Sequence, residues 1–185
     1  VNIGGITNVT YLNKGNIFST DIGPGNCLID KWVKKNFDKN FDKDGKISLE
    51  GKVDENLADI FLNKLQEKTK NKNISYDTSD FDILEFNRLN AKDGAATLSF
   101  ITAKTILNFA KDLDLKRIII CGGGRLNQAI LNNLKKDRFN ISLIDEIKSS
   151  QYDSFTPNLN GDFIESQAFA YLAIRSFLKL PISFP

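Results

Sequence analysis

The stretch IIICGGGRLNQAIL, Ile118 to Leu131, restricts the fold more than any other part of the chain. Arg117 to Cys121 reads as a buried strand, and the run through Leu126, Ile130, Leu131 and Leu134 reads as an amphipathic helix. Only Gly122, Gly123 and Gly124 open the way from one to the other, so the chain is expected to turn at the strand's carboxyl end and to build an α/β structure. Such a turn presents backbone N–H groups and the positive end of a helix dipole at the edge where nucleotides bind in α/β proteins. The spacing is neither G-x-G-x-x-G nor a P-loop, which closes on Gly-Lys-Ser/Thr. Three consecutive glycines suit a flat group, a base or a ribose, lying directly on main chain. The plainer reading is a tight strand-to-helix turn.

A second glycine signal lies at the start. Val1 to Leu12 reads as a strand interrupted by Gly4-Gly5, which marks a bulge or a close approach by a ligand or another backbone. Asn13-Lys14-Gly15 joins it, as a hairpin, to a second strand from Asn16 to Ile22. Gly23-Pro24-Gly25-Asn26 follows. With a ligand across this sheet, Gly4-Gly5 admits a phosphate, and the following loop presents Asp21 and Asn26 to a polar substrate. The alternative is a bulge followed by a helix-capping turn.

The rest of the chain alternates. Leu28, Ile29, Trp32 and Val33 give Cys27 to Phe37 helical spacing. The polar stretch DKNFDKDGKISLEG approaches an EF-hand loop, with Asn40, Asp42 and Asp44 at the first ligand positions. Gly51 stands where the bidentate glutamate is required, so a solvated turn before a short strand is expected. Helices follow from Asp54 to about Lys68 and from Ala95 to Leu113, separated by a polar loop from Lys68 to Asp80. After strand Ile141 to Ile144, the last helix runs from Asp162 to Leu180 and stops at Pro181. Glu165 in its first turn is either a functional acid or base or, with Asp162, half of a capping box. The expectation is one domain over residues 1–185, a hairpin followed by alternating helices and strands.

Composition narrows the chemistry. The 185 residues carry a formal net charge of +2, with lysines scattered beside acids and no basic stripe, which argues against nucleic acid as a partner. Histidine is absent, which removes the commonest general base and zinc ligand. Cys27 and Cys121 lie far apart in apolar contexts, so neither a disulfide framework nor a metal cluster is suggested, and a reducing cytoplasm fits. No apolar run reaches the length of a membrane span. The chain lacks methionine altogether and opens on Val1, so it is read as a piece of a longer protein.

Six ordered blocks, NIGGITNVTYL, DIGPGNCLID, DGAATLSFITA, CGGGRLN, DFIESQAFAYLA and LPISFP, resemble the C-terminal half of the anhydro-N-acetylmuramic acid kinases, sugar kinases of the actin/Hsp70/hexokinase superfamily. The resemblance implies a ribonuclease-H-like, actin-like ATPase lobe: a mixed sheet flanked by helices, forming the nucleotide-binding half of a two-lobed kinase. It implies ATP and Mg2+ as cofactors, anhydro-N-acetylmuramic acid as substrate, and a homodimer when intact. The family reaction opens the 1,6-anhydro bond with water and transfers the γ-phosphoryl group to O6, giving MurNAc-6-phosphate and ADP. By the same resemblance Gly4 and Gly5 form a phosphate-binding turn, and Gly122, Gly123, Gly124 and Asn127 form the adenosine floor. Asp21, Gly23, Pro24, Gly25 and Asn26 shape the cleft near phosphate and sugar, and Glu165 helps hold the attacking water. No metal ligand is assigned within the chain. Three departures stand out: Ile22 replaces a threonine, Ser166 replaces an alanine, and SYDTSDFD lacks the lysine and arginine of a family loop resembling KSLDRNDF. The first phosphate loop and the catalytic aspartate belong to the family's N-terminal part, which precedes the region matched here.

Overall fold

In the computed structural model, which describes residues 1–69, 75–147 and 160–182, the hairpin forms as its turn chemistry dictates. Lys14 and Gly15, both at positive φ (50° and 83°), make the two-residue connection whose twist matches flanking strands. They join β2 (Ile6–Asn13) to β3 (Asn16–Pro24) in antiparallel register, from Asn13 opposite Asn16 to Ile6 opposite Pro24. The run expected as one strand from Val1 to Leu12 is instead two. Gly4 and Gly5 form a bend that folds β1 (Asn2–Ile3) back against β2, with Asn2 opposite Asn8 and Ile3 opposite Thr7. The irregularity expected at the glycines falls between Thr7 and Asn8. The glycine pair is a reversal between β1 and β2 rather than a bulge within one strand.

Helix α1 (Cys27–Phe37) follows directly, burying Leu28, Ile29, Trp32 and Val33. The segment expected to lead to a short strand is helical, because the buried carboxylate of Asp42 accepts the amides of Ile47 and Ser48, each at 2.9 Å, and the Ser48 hydroxyl at 2.7 Å. These bonds hold the N-terminal end of α2 (Lys46–Leu49). Helix α3 (Glu55–Thr69) is next. The expected polar loop from Lys68 to Asp80 includes residues 70–74, which lie outside the described residues; its end carries one short 3-10 turn, Thr78–Asp80, and a second, Leu84–Phe86, follows it.

The central helix, α4 (Ala91–Asp112), begins one turn earlier than its apolar residues suggested. Asn90 caps it, its side-chain oxygen accepting from Lys92 N at 3.1 Å and Asp93 N at 2.9 Å. Gly94 is required there: a Cβ would lie 2.2 Å from the Trp32 ring. β4 (Arg117–Ile120) pairs with β5 (Asn140–Leu143), and α5 (Gln128–Leu134) connects them. A parallel bridge from Asn2 to Cys121 ties this pair to β1. The core lies beneath these strands, in Ile3, Val9, Ile118 and Ile120 together with Leu98, Ile101 and Ile106 of α4.

The chain divides into two compact units, residues 1–142 and 143–185. Within the second, α6 (Ile164–Phe177) is shorter than expected and starts after Phe163, with no side-chain cap. The capping box anticipated between Asp162 and Glu165 therefore does not hold the helix start. Residues 148–159, ahead of the helix, and residues 183–185, the end of LPISFP, lie outside the described residues. No helix among the described residues is long and apolar enough to cross a membrane.

Candidate functional site

Three glycine turns meet at one corner of the first unit. The Gly4-Gly5 bend is held from one side by the start of α1: Gly25 N and Cys27 N donate to Gly5 O at 2.9 and 3.1 Å, and Asn26 N donates to Gly4 O at 2.8 Å. The Asn26 side chain adds donation to Ile3 O at 3.3 Å and Gly4 O at 3.1 Å. A trans peptide is planar, with its N–H opposite its C=O. Turning the Gly4 and Gly5 carbonyls toward α1 therefore aims the amides of Gly5 and Ile6 away from it.

From the other side comes the triplet. Ile3 N donates to Cys121 O at 2.9 Å, and the chain reverses at Gly122, whose φ of 80° favours glycine. A Cβ on Gly122 would stand 2.2 Å from Asn2 Oδ1 and 2.7 Å from Ile3 O; one on Gly124 would stand 2.2 Å from Ile3 Cγ2. One on Gly25 would stand 2.3 Å from Gly4 O. At Gly25 and Gly122 main chain thus packs on main chain, and at Gly124 on the Ile3 side chain, at distances no other residue type permits. Gly123 differs from the rest. It is exposed, and a Cβ built on it would meet nothing within 4 Å.

The expected residues divide by role. Gly4, Gly5, Gly25, Asn26, Gly122 and Gly124 come together at this corner, with Gly123 at its open face. Asn26 does not point outward to a polar ligand, because its amide braces the glycine bend. Asn127 is buried and its Oδ1 caps α5, accepting from Ala129 N at 3.0 Å and Ile130 N at 3.2 Å. The helix thus opens at Asn127, not at the glycines, which form a single 3-10 turn (Gly123–Leu126) before it. Asp21, Gly23 and Pro24 lie along β3. Asp21 accepts the Tyr76 amide at 2.9 Å, and Pro24 O accepts the buried Thr7 hydroxyl at 3.2 Å. A Cβ on Gly23 would meet Leu65 Cδ2 at 2.8 Å. Glu165, in the second unit, is exposed in the first turn of α6.

One group escaped the sequence reading. Asp30, in the first turn of α1, has its carboxyl raised to about 6, first by burial and then by the neighbouring charge of Asp42. A carboxyl poised near neutrality one turn from the glycine bend is a candidate acid or base. The only signal in the sequence was its place four residues after Asn26, whose carbonyl accepts the Asp30 amide at 2.8 Å.

Chemically, this corner offers main-chain donors and an exposed glycine surface at Gly123, which suits a phosphorylated, flat ligand. Comparison with known proteins agrees. A curated anhydro-N-acetylmuramic acid kinase of Pelagibacter ubique is 39% identical over 197 residues, covering 100% of this chain and 50% of the relative. Those of Brucella canis and Agrobacterium fabrum are 37% and 36% identical, again over 100% of this chain and 48% of their own length. The chain spans about half the length of these curated relatives. The family description that matches residues 1–185 is that of anhydro-N-acetylmuramic acid kinase, and with glycine turns and relatives in agreement, the chain belongs to that family.

Proposed function

We propose that the chain is the nucleotide-binding half of a kinase that opens the anhydro ring of anhydro-N-acetylmuramic acid and phosphorylates O6. The observation that carries this reading is the convergence of the Gly4-Gly5 bend and the Gly122–Gly124 turn on one corner, with Gly123 open. The amides of Gly5 and Ile6 take the phosphates of Mg-ATP, and the exposed Gly123 floor takes the adenosine. Bound ATP supplies the phosphoryl group; the protein positions it and balances its charge. Asn26 and Gly25 act through the Gly4-Gly5 bend by fixing its carbonyls. Asp21, Gly23 and Pro24 line the substrate side, and Glu165 holds the water that attacks the anhydro bond. The mixed arrangement, a β1-β2-β3 meander with β1 parallel to β4, supports a ribonuclease-H-like lobe.

Phosphoryl transfer needs groups from both lobes, so these 185 residues alone are expected to be inert. A coupled ADP-release assay with anhydro-N-acetylmuramic acid and Mg-ATP checks this. The expected result is no turnover by the chain and turnover by a protein that also carries the family's N-terminal half. Turnover of other sugars at equal efficiency by that longer protein would overturn the substrate assignment.

A further inference from the structure

Gly5, like Gly123, is exposed, but its surface is not bare: a Cβ built on it would stand 3.2 Å from Cγ2 of Thr78. Thr78 opens the 3-10 turn Thr78–Asp80, and three contacts bring that turn to the glycine bend. The ammonium of Lys31, in α1, donates to Thr78 O at 2.5 Å and to Phe81 O at 2.7 Å. Asp21, on β3, accepts the Tyr76 amide at 2.9 Å. Phe81 is buried, with its ring centroid 5.0 Å from that of Tyr76. The acids of the segment are engaged within it. Asp77 accepts from Ser79 N at 2.8 Å and Ser79 Oγ at 2.7 Å, and Asp80 accepts from Asp77 N at 2.7 Å, a reciprocal pairing that fixes the turn. Thr78 differs from them. It is exposed, and among the described residues its hydroxyl has no hydrogen-bond partner. An ammonium has three N–H donors and both Lys31 acceptors are carbonyls, so a cation lies next to this free hydroxyl.

We propose that Thr78 is a side-chain ligand of the phosphate seated on the Gly5 and Ile6 amides, donating its hydroxyl to a phosphate oxygen, and that Lys31 is the positioning residue that holds it there. The inference deepens the nucleotide reading and rests on it. Main-chain amides attract an anion but leave its far oxygens unbound. A hydroxyl on a braced turn beside them adds a directional donor, and hydrogen bonds to a charged acceptor are the stronger kind. Because Thr78 is placed through its own carbonyl, the Lys31 ammonium sets the position of that donor without itself having to touch the ligand.

Amide NMR titrations of the 185-residue chain test it, with Mg-ATP and with adenosine, each followed at Gly123. Thr78→Val keeps the shape of the side chain and removes the hydroxyl, whereas Thr78→Ser keeps the hydroxyl. Thr78→Val should weaken Mg-ATP binding about tenfold and leave adenosine binding within about twofold, and Thr78→Ser should restore Mg-ATP. Lys31→Met should repeat that phosphate-specific loss, and Lys31→Arg should recover most of it. Mg-ATP binding by Thr78→Val equal to that of the parent chain would overturn the proposal, and so would equal weakening of Mg-ATP and adenosine, which would make Thr78 a structural residue only. Unchanged Mg-ATP binding by Lys31→Met would remove Lys31 from it. If the parent chain takes up no Mg-ATP, the nucleotide reading itself fails and this inference falls with it.

Discussion

The glycine corner and helix α6 hold the two halves of the proposed chemistry in opposite ways. At the corner, Gly25, Asn26, Gly122 and Gly124 pack against the Gly4-Gly5 bend and β1, with glycine positions where an added Cβ would meet a packed neighbour. Along α6, Phe169, Ile174 and Phe177 are 72%, 59% and 86% exposed, and Glu165 is exposed beside them. A binding surface made of backbone must be rigid, because no side chain can adjust to correct it. A carboxylate that acts on water can be carried on a helix and set by its surroundings. Substitutions should therefore disturb stability at the corner and activity at α6.

The largest effect is expected at Gly25. Gly25→Ala drives a Cβ against Gly4 O and should lower unfolding stability by about 3 kcal/mol, measured by urea denaturation. A loss no greater than that of a surface substitution would break the contrast. Asn26→Ala removes the brace from Ile3 O and Gly4 O and should cost about 1–2 kcal/mol, with weaker Mg-ATP binding as the bend loosens.

A change of opposite sign is expected one turn on. Asp30 titrates at about 6 in the folded chain, above an ordinary carboxyl, so the folded state holds more protons than the unfolded state between those values. The Asp30 contribution to stability is thus greatest below the ordinary carboxyl value and falls as pH rises toward 6. Asp30→Asn should flatten that decline and raise stability at pH 7 by about 1 kcal/mol after allowance for solvent screening of a half-buried group. Denaturation midpoints from pH 4 to pH 7, about the range over which the carboxyl ionises, give the answer. The smallest effect on stability belongs to Glu165→Gln, within about 0.5 kcal/mol at an exposed helix position. In a longer protein with both lobes, the same substitution should reduce kcat at least about tenfold.

The elements legible in sequence were those with a strong period or an unambiguous turn: the β2-β3 hairpin at Lys14-Gly15, α1 around Trp32, and the strand before Gly122. The reversal at Gly4-Gly5 was not legible as such, because two glycines in a β-branched run fit a bulge as well as a bend. Asp42 was weighed as a cation ligand because capping by a buried carboxylate leaves the same spacing as a loop of acids. Asn26 was read as facing a ligand, since nothing local reveals that its amide reaches back twenty-three and twenty-two positions to Ile3 and Gly4. Asp30 offered only its place four residues after Asn26, its environment being assembled by burial and by the neighbouring Asp42 through tertiary packing.

The account rests on bare main chain at the corner serving as the nucleotide seat, and amide NMR of the chain titrated with Mg-ATP reads it residue by residue. The prediction is saturable shifts at Gly4, Gly5, Ile6 and Gly122 to Gly124, abolished by Gly123→Val without loss of fold, while Gly15 in the distant hairpin turn stays still. Shifts that miss both glycine turns, or that survive Gly123→Val unchanged, would contradict it.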